Sequence, residues 1–308
     1  MLSLNNANWY QQQKLSNEYL KMIANSVFGT IRLEKITNDI EQLIVKHQQV
    51  DAKICLYGGQ VLSWQPKGQQ DVFWLSKAAE FKQGKAIRGG IPLCWPWFGA
   101  FKDGGNHGFA RTQVWQLSGY NMTEQGVELQ LTWQGENISR LWPYPVKLTQ
   151  HLFFGQHFEQ RLEIENLSSQ SIEYTGALHS YFNISQPSQV NINALKGVPF
   201  DCKITSQTQI SDDKPDMTGP MDRIYYSGAA VEAIDTGYQR KLRLSTEHTH
   251  QWVVWNPGKE IAGQMSDVHQ DGENEFFCLE AANTQWQTIE ANEQASISQR
   301  IEIVPLAD

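Results

Sequence analysis

The chain of 308 residues is 40% hydrophobic and 11% aromatic, a globular composition able to bury a large core and unlike that of a disordered protein. Its net charge of −8 argues against non-specific nucleic-acid binding, which needs a basic surface, but leaves room for a small anionic ligand held by arginines in a cleft. No apolar run approaches membrane-spanning length and the Asn- and Gln-rich start lacks an apolar signal core, so no membrane partner and a cytoplasmic location are expected.

Residues 8–25 are expected to form a helix, within an N-terminal extension (1–30) that is partly helical. Strands are predicted over 43–49, 53–57 and 71–75, followed by a turn near 76–81. Val127, Leu129, Leu131 and Trp133 then alternate with Glu128, Gln130 and Thr132. A strand over 146–154 leads to Leu162 and Ile164 alternating with Arg161, Glu163 and Glu165, and another follows at 171–178. Leu242 and Leu244 alternate with Lys241 and Arg243, ahead of strands at 251–255, 275–281 and 286–290. Ile297, Ile301 and Ile303 continue the pattern to the C-terminus. Period-two alternation buries one strand face and wets the other. Many such strands with turn signals between them predict an all-β protein, a large antiparallel β-sandwich with little helix. With no repeat and no linker, 1–308 reads as a single domain.

Cys55, Cys94, Cys202 and Cys278 form no C-x-x-C pair, so no metal framework is expected and a reducing compartment fits. No glycine-rich nucleotide loop follows a strand. Three stretches break the alternation: 84–111, 178–187 and 256–275. The first mixes Gly, Pro, aromatic and basic residues, the composition of a functional loop on a β scaffold.

The segments R-G-G-I-P-L-C-W-P-W-F-G at 88–99, N-H-G-F-A-R at 106–111, A-L-H-S-Y-F at 177–182, M-D-R-I-Y at 221–225 and F-C-L-E at 277–280 carry a resemblance. In order and spacing they resemble the aldose 1-epimerase superfamily, most of all its hexose-6-phosphate mutarotase branch. The resemblance implies the galactose mutarotase-like supersandwich and an isomerase interconverting the α and β anomers of glucose 6-phosphate or related sugars. The reaction needs one base and one acid on opposite sides of the O1–C1–O5 unit, and no cofactor.

Carried over position by position, Glu280 is the general base and His179 the general acid. His107, Asp222 and Asn106 contact the sugar or its phosphate, and Arg88 and Arg111 bind the phosphate, which suits planar guanidinium forks. Each assignment competes with a plain structural one: a paired surface arginine, a core histidine or a turn histidine. The implied partner is a small sugar phosphate, met by a monomer or weak dimer. Two other functions stay open, an epimerase of free aldoses such as galactose and a non-catalytic sugar-binding protein. His248 and His250 read as a solvated strand, and Asp267, His269, Asp271 and Glu273 as a solvated loop near the site mouth. Trp255 leaves a strand where it could flank a sugar.

Overall fold

The computed structural model describes residues 20–210 and 215–306. Strands β1 (Leu20–Ser26), β2 (Gly29–Lys35), β3 (Glu41–His47), β4 (Val50–Cys55) and β5 (Gln60–Pro66) form an antiparallel meander in that order. Next come β6 (Leu93–Cys94), β7 (Gln116–Met122), β8 (Gly126–Gly135), β9 (Val146–Gly155), β10 (His157–Asn166), β11 (Ile172–Leu178) and β12 (Tyr181–Asn183). The remainder adds β13 (Val190–Asn191), β14 (Phe200–Cys202), β15 (Gln207–Gln209), β16 (Met221–Tyr225) and β17 (Val231–Asp235). It closes with β18 (Arg240–Glu247), β19 (Gln251–Asn256), β20 (Phe276–Ile289) and β21 (Gln294–Pro305). Among the described residues the α-helix is a single short turn, α1 (Gly258–Ala262).

Two large antiparallel sheets make the sandwich. One has the order β13-β17-β18-β21-β10-β9-β8-β7; the other runs β15-β14-β16-β19-β20-β11-β6, with β12 also paired to β20. The alternation seen in the sequence sets the layers. Leu129 and Leu131 of β8, Leu162 and Ile164 of β10, and Ile297 and Ile301 of β21 are buried in one core with Leu178, Val254, Leu279 and Ala281 of the second sheet. Each such leucine, isoleucine or valine side chain contributes about 1.5–3 kcal/mol by leaving water.

A polar thread runs through this core. Gln299 donates to Gln160 (2.8 Å), Gln160 to Gln150 (2.5 Å), and Gln150 to the Gly59 carbonyl (2.6 Å). On the other side Ser180 Oγ donates to Gln299 Oε1 at 3.0 Å. Every side chain in the thread is buried. It joins the meander and both sandwich sheets, so their packing has one register in which the amides are satisfied. Gln299→Leu strands the Gln160 carbonyl and the Ser180 hydroxyl, and is expected to cost about 1–3 kcal/mol in urea unfolding.

Several expectations need correction. Of the stretch expected as helix, residues 20–25 lie in β1, and those before residue 20 fall outside the described residues. Residues 71–75 form no regular strand; Phe73 and Leu75 make isolated bridges to Phe182 and Gly89. The strands predicted at 275–281 and 286–290 are one continuous strand, β20. His248 and His250 lie not on a strand but in the exposed turn joining β18 to β19.

Candidate active site

The site grows from one face of the second sheet. Glu280 and Cys278 are two residues apart on β20, so their side chains share a face. Register places Ala282 opposite Ala177, Glu280 opposite Val253, Cys278 opposite Trp255, and Trp255 opposite Asp222. Cys94, opposite Ala177 on the far side, completes a floor of small side chains.

His179 follows β11, where the strand kinks. Its N–H donates to the Pro92 carbonyl (3.2 Å), and the Ser180 N–H turns back to Leu178 (2.9 Å). Ser180 points into the core thread, while His179 and Tyr181 stack face to face, 4.8 Å apart and inclined by 7°. Trp255 stands edge-on to His179 at 6.2 Å. The result is a direct contact of His179 Nε2 with Glu280 Oε1 at 3.4 Å, with both side chains buried. Among the described residues His179 Nδ1 and Glu280 Oε2 have no hydrogen-bond partner. Buried polar atoms are normally paired, and orphans at a cleft call for a ligand.

The loop over 84–111 supplies the rest. Gly90 adopts φ +62°, and a Cβ there would lie 2.1 Å from the Val61 carbonyl oxygen. Gly108, at φ +61°, would put one 2.0 Å from the Trp95 carbonyl oxygen. These close approaches fold the loop onto the sheet. His107, between them in the chain, also has positive φ, 65°, a conformation uncommon outside glycine. It is held by its N–H to Gly99 (2.8 Å) and by the Gly99 N–H donating to its Nδ1 (3.1 Å). Nδ1 therefore accepts, and the neutral ring carries its proton on Nε2. The rings of His107 and His179 are 5.7 Å apart.

Burial dominates the electrostatics. It pushes His107 down to about 3, with Arg111 and Arg88 adding to the effect. Burial also holds His179 well below the usual imidazole range, aided by His107, Arg111 and Arg88. Glu280 is driven well above the ordinary carboxylate range by burial and by Asp222. Asp222 is itself raised by burial.

The two arginines differ. Arg88 is engaged: Nε donates to Asp267 at 3.1 Å, a second nitrogen pairs with the same carboxylate, and NH1 donates to Tyr181 at 2.8 Å. Arg111, in a 3-10 turn over Ala110–Thr112, makes one protein hydrogen bond among the described residues, to the Asn106 carbonyl at 2.8 Å. Asn106 thus enters through its backbone, and its side-chain amide bonds no protein group among the described residues.

All seven residues singled out in the sequence fall in or beside this cleft. Asp267 and His269 do not belong to a solvated loop. Asp267 clamps Arg88; His269 bonds Glu275 (3.0 Å) and accepts the Lys77 N–H (3.2 Å), tying the 256–275 loop to residues 76–77. Tyr181, which joins Arg88 to the His179 ring, was missed; its place two residues after His179 was the available signal. A separate hollow of about 720 Å³ lies on the solvent face of the first sheet. Both of its arginines are already paired, Arg161 with Glu163 and Arg300 with Glu159 and Glu302.

Three comparisons bear on this arrangement. The family described as Aldose 1-epimerase matches residues 41–304. A protein of Escherichia coli named "Putative glucose-6-phosphate 1-epimerase" is 34% identical over 274 residues, covering 86% of this chain and 91% of that protein. One with the same name from Cenchrus ciliaris is 27% identical over 265 residues, 81% of this chain and 80% of that protein. The crystal structure of a "putative mutarotase" from Salmonella typhimurium superposes with a TM-score of 0.84 at 30% identity, covering 96% of this chain and 99% of that one.

Proposed function

The chain belongs to the aldose 1-epimerase family, and from that premise we propose that it interconverts the α and β anomers of a hexose 6-phosphate, glucose 6-phosphate first. The observation that carries this reading is the buried 3.4 Å contact between His179 and Glu280, each with an unpaired polar atom. A binding protein has no use for such a pair, because desolvating two ionisable groups is costly. Mutarotation needs it.

Glu280 takes the proton from the O1 hydroxyl while His179 delivers one to the ring oxygen, and the C1–O5 bond opens. Rotation about C1–C2 presents the other face of the aldehyde, and closure runs both transfers backwards. Opening exchanges the roles of the two groups and closing restores them, so the pair holds one proton before and after each turnover. In the empty cleft burial favours the uncharged arrangement, with the proton on Glu280. Sugar hydroxyls that donate to Glu280 lower the cost of its carboxylate and bring the pair near balance. His107 offers an Nε2–H donor and Asp222 an acceptor for neighbouring hydroxyls. Arg111, with unused donors, is the phosphate ligand; Arg88 adds charge while holding Tyr181 and Asp267. The whole chain, 1–308, works as one domain, as a cytoplasmic monomer or weak dimer, and the acid–base chemistry asks for no cofactor.

A second reading, epimerase of free aldoses, draws on one observation: Asp267 neutralises Arg88, so a single arginine separates the two substrates. Anomerisation of freshly dissolved α-glucose 6-phosphate, followed by polarimetry beside free glucose and galactose, decides between them. With the uncatalysed rate subtracted, acceleration of the phosphorylated sugar is expected. Acceleration of galactose alone selects the second reading, and none at all removes catalysis.

A further inference from the structure

We propose that His179, Cys278 and Glu280 also form an inhibitory Zn²⁺ site, in which the ion occupies the acid–base pair in place of sugar. The site is new, although its inhibitory consequence rests on the mutarotase reading above. Imidazole nitrogen, thiolate sulfur and carboxylate oxygen are the donors zinc prefers. One ligand atom from each of these side chains lies within 4.8 Å of the other two, and all three residues are buried. Zn–N and Zn–O bonds of about 2.0–2.2 Å and a Zn–S bond of about 2.3 Å place tetrahedral ligand atoms roughly 3.3–3.6 Å apart. The His179–Glu280 separation of 3.4 Å already meets that spacing.

Two further features point to a cation. Glu280 Oε2 is buried without a partner among the described residues, and the one direct contact an entering ion replaces is that of His179 Nε2 with Glu280 Oε1. The three donors are also held in place. Cys278 and Glu280 share one face of a central strand, and the His179 ring is stacked on Tyr181.

Charge balance favours the same ion. Bound carboxylate and thiolate cancel a divalent charge, so the buried unit is neutral and a burial cost that otherwise falls on Glu280 is relieved. As the Zn–S and Zn–O bonds form, the Cys278 thiol and the Glu280 carboxyl each release a proton to water. The fourth position faces the cleft and takes a water molecule. Cys278 carries no proton in the sugar chemistry, so its replacement by serine tests the zinc ligand set while both acid–base groups are kept.

The test uses Co²⁺, which reports thiolate ligation by a charge-transfer band, followed by displacement with Zn²⁺. The wild-type protein is expected to show the band at one equivalent and to lose it to Zn²⁺. Cys278→Ser should abolish the band and weaken Zn²⁺ binding by more than about 10-fold, the least that loss of even an outer partner of a metal site produces. An unchanged β-sheet circular-dichroism spectrum shows that this variant is folded, while inhibition of the anomerisation it retains in metal-free buffer needs correspondingly more Zn²⁺. Absence of the band in wild type, or an equal band in Cys278→Ser, overturns the site. Because the spectrum needs no sugar, a band without any mutarotase activity removes the sugar reading alone. Mutarotase activity without a band removes the zinc site alone.

Discussion

Glu280→Gln is expected to lower the anomerisation rate by about 100- to 10,000-fold, the contribution of a positioned acid–base group, while sugar binding persists. Glutamine keeps the shape and the accepting oxygen beside His179 but cannot exchange a proton. Magnetisation-transfer NMR between the two anomers at equilibrium measures the rate directly, and wild-type turnover would remove Glu280 from the chemistry. Stability separates this from damage to the fold. The pKa of Glu280 is raised on folding, chiefly by burial, so its folded form binds the proton more tightly than the unfolded chain does. Such a group contributes fully at low pH and loses that contribution as pH rises from the unfolded value through the raised folded value. Glutamine does not titrate. The variant should therefore match the parent in acid and equal or exceed it in stability as pH rises above the unfolded carboxyl value, where folding of wild type must take up a proton or bury a charge. A variant both slower and markedly less stable at every pH would point instead to a structural role.

The same burial explains which parts of the molecule the sequence revealed. Where a strand has one wet and one dry face, as in β8 and β10, its pattern is written in alternate residues and was read correctly. β7, Gln116–Met122, is an edge strand with little buried on either face, so it leaves no such trace. The first half of β20 is buried on both faces, and only its second half has a wet side, which made one strand look like two. In the site, Glu280, His179 and His107 were legible through family segments. Their surroundings were not, because they depend on pairs distant in the chain: Arg88 with Asp267, Ser180 with Gln299, and Lys77 with His269. A polar loop such as 264–275 looks the same in sequence whether its carboxylates face water or a half-buried guanidinium.

Arg111→Ala is expected to weaken binding of the phosphorylated sugar by about 10- to 150-fold, which corresponds to the roughly 1.5–3 kcal/mol of a hydrogen bond to a charged group. Activity toward free glucose, measured side by side, should change little, since among the described residues the guanidinium hydrogen-bonds only the Asn106 carbonyl. The loss should appear in KM and shrink as salt rises, because ions screen an attraction that is partly open to solvent. Arg88→Ala makes the contrasting case. Its side chain anchors Asp267 and the Tyr181 hydroxyl, and Tyr181 in turn carries the His179 ring, so removal should lower kcat for phosphorylated and free sugars alike. If instead Arg88→Ala discriminates between the substrates and Arg111→Ala does not, the phosphate lies on the Asp267 side of the cleft. Asp267 would then have to swing away from Arg88 to admit it, and Asp267→Asn would tighten binding of the phosphorylated sugar instead of loosening the site.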